Sequence, residues 1–184
     1  MSSQLSPRQA LLVIDMQIGQ CSVDPLPYLR ENLLSNINQL IEHFHHTDLP
    51  VFFIRHAGPQ GSPFAAGEKI WHLIPELNID GERDILIDKS RASCFVETPL
   101  VGLLQQQQIT DVVIVGMKTQ YCVDTACRTA PAFGFNPILI ADAHSCTNSQ
   151  QLAAADIIAH HNACLHGPVA RVMTTQDFCY PAAH

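Results

Sequence analysis

Asp111-Val-Val-Ile-Val-Gly116-Met-Lys-Thr119-Gln-Tyr-Cys122-Val is an apolar run that ends in glycine and passes directly into a stretch patterned as a helix. A strand feeding a helix through a tight turn places the Cys122 thiol at the carboxyl edge of a sheet. Ligands of open α/β sheets bind outside that edge, and a helix N-terminus offers free N–H groups and a positive dipole end that favour a thiolate. Cys122 therefore stands where a nucleophile is useful.

Outward from this stretch, apolar runs at 10–14, 51–54, 85–87, 112–115, 138–140 and 169–173 read as six strands. Their nearly continuous hydrophobicity suits strands covered on both faces, hence a parallel sheet. Leu29, Leu33, Ile37, Leu40, Ile41 and Phe44 form one helical stripe, and Val123, Ala126, Ala130 and Phe133 a second. A third helix is expected near 99–107 and a fourth at 149–163, after the cap candidates Thr147, Asn148 and Ser149. Strands alternating with helices predict a three-layer αβα fold around a six-stranded, mostly parallel, Rossmann-like sheet, with residues 1–184 as one domain. The Gly- and Pro-rich stretch 56–77 is too long for a simple connection and is expected to cover the site.

Composition narrows the function. With 184 residues and 47% hydrophobic content the chain can fill one core. A net charge of −7 argues against a nucleic-acid surface. The N-terminal apolar run is too short for a membrane span or a signal sequence, so a soluble cytoplasmic protein is expected. Seven cysteines show no zinc-type pair spacing, and an odd count without an export signal disfavours a disulfide framework.

A free thiol is only about 3% ionised at pH 7, so Cys122 needs a base and a cation. Two other strand ends supply them: Leu11-Leu-Val-Ile-Asp15 ends in a carboxylate and Asp84-Ile-Leu-Ile-Asp-Lys89 in an ammonium. Each has an ordinary alternative, since aspartates often brace turns, lysines often end strands and buried cysteines are often inert.

Leu12-Val-Ile-Asp15-Met-Gln17, Lys89 with Ser93-Cys-Phe95 and Thr98-Pro-Leu100, and Gly116-Met-Lys-Thr119-Gln-Tyr-Cys122-Val together resemble the isochorismatase-like cysteine hydrolases, a superfamily that includes small-amide hydrolases. Gly61-Ser-Pro-Phe64, Trp71 and Ile74-Pro-Glu-Leu77 resemble the entry loop of its metal-free members. The resemblance implies a hydrolase of a small amide or ureide C–N bond: Cys122 as nucleophile, Asp15 as base and Lys89 as third catalytic member, with a thioester intermediate. It also implies an oxyanion hole from the backbone N–H groups of Lys118 and Cys122, next to a cis Met117–Lys118 peptide, and a homo-oligomeric assembly. Isochorismate-like vinyl-ether hydrolysis, which needs no cysteine, and non-catalytic binding on the same scaffold are the alternatives.

His56, Phe64, Trp71, Phe95 and Tyr121 are the expected substrate-lining residues, with core packing the ordinary alternative for Phe95 and Tyr121. Metal-dependent nicotinamidases of this superfamily carry Asp-x-His after the second strand. Here those two positions hold His56 and Gly58. No metal and no cofactor are expected, and the only expected partners are a small-molecule substrate and further copies of the chain, with neither nucleic acid nor membrane.

Overall fold

The computed structural model describes residues 8–181. Six parallel strands form one sheet: β1 (Gln9–Ile14), β2 (Val51–His56), β3 (Ile85–Lys89), β4 (Asp111–Met117), β5 (Asn136–Ser145) and β6 (Arg171–Met173), in the order β3-β2-β1-β4-β5-β6. The chain starts in the middle of the sheet and winds outward to both sides, so β1 pairs with both β2 and β4.

The alternation of side chains along β1 divides the core into two layers. Ala10, Leu12 and Ile14 pack with α3 (Leu100–Gln106), α4 (Asp124–Thr129) and α5 (Ala154–Leu165), whereas Leu11 and Val13 pack with α2 (Arg30–His46) and α6 (Thr175–Cys179). A strand covered on both faces must be apolar at consecutive positions, which is why β1 and β4 read as unbroken hydrophobic runs. The stripe on α2 is formed by Leu33, Ile37, Leu40, Ile41 and Phe44; Leu29 precedes the helix and is exposed.

Four local expectations change. α5 begins at Ala154, five residues later than the sequence suggests. Ser149 folds a tight turn by accepting the Gln151 and Leu152 N–H groups, and Asn148 Oδ1 reaches past it to accept from Ala154 N–H. The second stripe is not one helix: a wide π-type turn at Thr119–Val123 leads into α4, and a 3-10 turn at Ala130–Phe133 follows. Pro131 supplies no N–H to continue an α-helix there. β6 starts at Arg171, because the N–H groups of Val169 and Ala170 return to the Leu165 carbonyl at the end of α5. β5 runs on to Ser145, five residues past its apolar run.

Gly116 sets the spacing between β1 and β4 at the carboxyl edge of the sheet. It pairs with Ile14 on one side and His144 on the other, at a φ of +113°, and a Cβ there would run into the Ile14 backbone. Only glycine lets β4 approach β1 this closely. The register also jumps here, from Ile114 opposite Leu139 to Gly116 opposite His144, so β5 bulges beside the turn that carries Cys122.

Candidate active site

Asp15, Lys89 and Cys122 meet at the carboxyl edge of the three strands that deliver them. Asp15 follows the last residue of β1 in a left-handed conformation, φ +51°, and its N–H donates to the Ile54 carbonyl at 2.8 Å. Lys89 closes β3 and is reached across β2, where His56 is its register partner. The ammonium donates to Asp15 Oδ2 at 2.9 Å, to Cys122 Sγ at 3.2 Å and to the Arg91 carbonyl at 3.3 Å. Asp15 and Lys89 are 1% and 2% exposed, so the pair is shielded from water, and losing one charge would leave the other uncompensated.

The charges around the thiol oppose each other. Burial raises the Cys122 pKa, the Asp15 carboxylate raises it further and the Lys89 ammonium lowers it, for a net value pushed up to about 11. Sequence reasoning that places the thiol at a helix start beside a cation expects the opposite direction. It misses that the base and the low-dielectric surroundings come with the cation. For Lys89, burial acts downward, but Asp15 and Cys122 outweigh it and hold the ammonium above its ordinary value. The resting site therefore holds a carboxylate–ammonium pair beside a neutral thiol. Asp15 Oδ1 is buried and has no hydrogen-bond partner among the described residues, an acceptor left open.

The Met117–Lys118 peptide is cis, and the Lys118 carbonyl accepts from the Tyr121 and Val123 N–H groups. Thr119, first residue of the wide turn, is tied by its hydroxyl to His144 Nδ1 at 2.9 Å, and His144 Nε2 lies 2.9 Å from Asn162 Oδ1. Burial is the main cause that lowers the His144 pKa, to about 4.

On the opposite wall, Gln17 does what its place in the sequence does not announce. Its fully buried amide donates to the carbonyls of His56 and Trp71 and accepts from the His56 N–H at 2.9 Å, pinning the 3-10 turn at Lys69–Trp71 onto the end of β2. Arg55 lies 3.8 Å from the centre of the Trp71 ring and holds Asp88 with two hydrogen bonds. Neither role was legible, because both depend on where the loop folds back; the only signal for Gln17 was its place two residues past Asp15. His56 Nδ1, Ser62 Oγ and Trp71 Nε1 are buried without partners among the described residues, and burial, then the Lys89 charge, lower the His56 pKa.

The remaining lining candidates are dispersed. Phe64 lies against Gly19 and Gly58, where any side chain would collide with its ring or with Ser62. Phe95 is buried and stacks with Phe133 and Phe135 at 5.6 and 6.0 Å, while Tyr121 is 60% exposed. Cys127 is fully buried in the core, and His45 bonds Asp84 at 2.9 Å at the end of α2. Among the described residues no three His, Cys, Asp or Glu side chains are grouped to hold a metal ion.

A family model described as the isochorismatase domain matches residues 9–177. The isochorismatase family protein YddQ of Bacillus subtilis is 29% identical over 181 residues, covering 92% of this chain and 97% of YddQ. Nicotinamidase 3 of Arabidopsis thaliana is 27% identical over 155 residues, 77% of this chain and 75% of its own. The ureidoacrylate amidohydrolase RutB of Acinetobacter baylyi is 28% identical over 162 residues, 68% and 66% respectively. A crystal structure of an isochorismatase family protein superposes with a TM-score of 0.83 at 30% identity, covering 90% of this chain and 98% of that one.

Proposed function

The chain belongs to the isochorismatase family, whose members include hydrolases of amide C–N bonds, and from that premise we propose that it is a cysteine-dependent hydrolase of a small amide or ureide. The observation that carries the reading is the open Asp15 Oδ1 beside a thiol that already accepts a hydrogen bond from Lys89.

With the thiol neutral at rest, attack and deprotonation are coupled. As Cys122 Sγ bonds to the substrate carbonyl carbon, its proton passes to Asp15 Oδ1, and Lys89 offsets the charge that remains. The carbonyl oxygen gains a negative charge, which the N–H groups of Lys118 and Cys122 stabilise. The C–N bond then breaks, the Asp15 proton leaves on the departing nitrogen, and a thioester remains. Water gives a proton to Asp15 as it attacks this thioester; the C–S bond breaks, the acid leaves and the proton returns to sulfur.

Trp71 and His56 suit a flat substrate, and the Trp71 N–H and His56 Nδ1, unpartnered among the described residues, offer polar contacts at its edge. Catalysis is metal-independent in this reading, since His56 and Gly58 stand where the metal-dependent relatives carry Asp and His. We also propose a cytoplasmic homo-oligomer; support comes from Val23, Leu26, Tyr28 and Leu29, large apolar side chains exposed in one short run. Among the described residues no helix is long and apolar enough to cross a membrane.

Ammonia release from a panel of small amides and ureides tests the proposal. Turnover by the natural chain, abolished in Cys122→Ala and Asp15→Asn, is expected; turnover that survives Cys122→Ala would refute the covalent route.

A further inference from the structure

Thr119, His144 and Asn162 form a buried chain of hydrogen bonds that touches none of the three reacting groups yet ends on the turn that carries them. Asn162, on α5, donates from Nδ2 to the Ala141 carbonyl at 3.0 Å, which turns Oδ1 toward His144 Nε2 at 2.9 Å. A carboxamide oxygen only accepts, so Nε2 carries the imidazole proton and Nδ1 is left with a lone pair. The Thr119 hydroxyl donates into that lone pair at 2.9 Å. Each bond in the chain fixes the direction of the next.

The placement of this chain gives it a task. Thr119 follows Lys118 directly and precedes Cys122 by three residues, so its side chain and the thiol belong to one turn. His144 sits opposite Gly116, where pairing between β4 and β5 resumes after the β5 bulge, two residues before Lys118. Backbone bonds to the Lys118 carbonyl set the internal shape of the turn, but they do not tie it to its surroundings.

We propose that His144 is a positioning residue for the nucleophile. Through the Thr119 hydroxyl it anchors to β5 and α5 the turn that presents the Cys122 thiol and the N–H groups of Lys118 and Cys122. The proposal rests on Cys122 acting as the nucleophile. Displacement of that turn by a fraction of an ångström moves the thiol and the oxyanion donors together, which slows the chemical step more than it weakens substrate binding.

Thr119→Val keeps the shape of the side chain and removes the hydroxyl; His144→Leu removes the acceptor. Each is expected to lower kcat roughly 10- to 100-fold with KM within about twofold, and the double variant to be no worse than the poorer single. Thr119→Ser and His144→Asn, which retain a donor and an acceptor, recover most of the loss. A kcat per folded molecule that is unchanged in Thr119→Val, or losses that multiply in the double variant, would overturn the proposal; if His144→Leu fails to fold, Thr119→Val decides alone. A second readout needs no substrate: peptide mapping of iodoacetamide labelling gives the rate at Cys122 relative to half-buried Cys164. A severalfold shift of that ratio in Thr119→Val, reversed in Thr119→Ser, supports the anchor, and an unchanged ratio rejects it. If the natural chain hydrolyses no amide, the amidohydrolase reading falls while this ratio still decides the role of His144.

Discussion

A thiol held up to about 11 by burial and by the Asp15 carboxylate is almost wholly protonated at neutral pH. Alkylation of Cys122 in the free protein is therefore expected to accelerate about tenfold per unit from pH 7 to pH 10, with no plateau near neutrality. Asp15→Asn removes the larger of the two opposing charges, so labelling at pH 8 speeds up even as turnover is lost; Lys89→Met slows it. Equal labelling rates in both variants would contradict the charge balance described here. His144 gives a second test. Its imidazole titrates near 6.5 in an unfolded chain and near 4 in the folded one, so between these values the unfolded chain binds the additional proton. Stability is full above pH 6.5 and falls by about 3 kcal/mol as the pH drops to 4. Urea titrations of the natural chain and of His144→Asn across this window should show the loss only where the imidazole is present. That Asp15, Lys89 and Cys122 gather at one sheet edge was legible because Asp15 and Lys89 close apolar strands and Cys122 lies in the turn that follows a third. The direction in which they shift one another was not, since it depends on depth from solvent that spacing does not record.

Elements fixed by hydrophobic period were legible: five strands and the α2 stripe agree with the apolar pattern to within two residues, and β5 begins as expected but runs on to Ser145. Elements fixed by side-chain-to-backbone bonds were not. The start of α5 depends on Asn148 and Ser149, and both roles are invisible until Ala154 and Leu152 come within reach. The entry segment depends in the same way on Gln17, whose three hydrogen bonds hold the Lys69–Trp71 turn and the end of β2 together. Gln17→Leu leaves the His56 N–H and the Trp71 carbonyl without their buried partner, a cost of about 1 to 3 kcal/mol for each group left unpaired. The expected kinetic effect is a raised KM with a smaller change in kcat, because the loop shapes the pocket while Asp15, Lys89 and Cys122 stay where the strands put them. A KM equal to that of the natural chain would mean that the loop has no part in binding substrate.

For the whole molecule, alternation of strands and helices predicted a layered α/β fold, but not the order in which the strands lie side by side. In that order the strands wind outward from β1 in both directions, β2 and β3 to one side and β4, β5 and β6 to the other. Exhaustive chelation should leave turnover intact, and stoichiometric zinc with activity restored by its return would refute metal independence. Light scattering at micromolar concentration should give a multiple of 20.3 kDa; a monomer would remove the assembly proposal. The strand order has one more consequence, in time rather than in space. Asp15 is made early, Lys89 midway and Cys122 late, and the sheet positions that unite them are filled only when β4 slots in beside β1. On the proposed mechanism, a chain that stops before β4 holds the base and the cation but has no thiol at the sheet edge to attack a substrate.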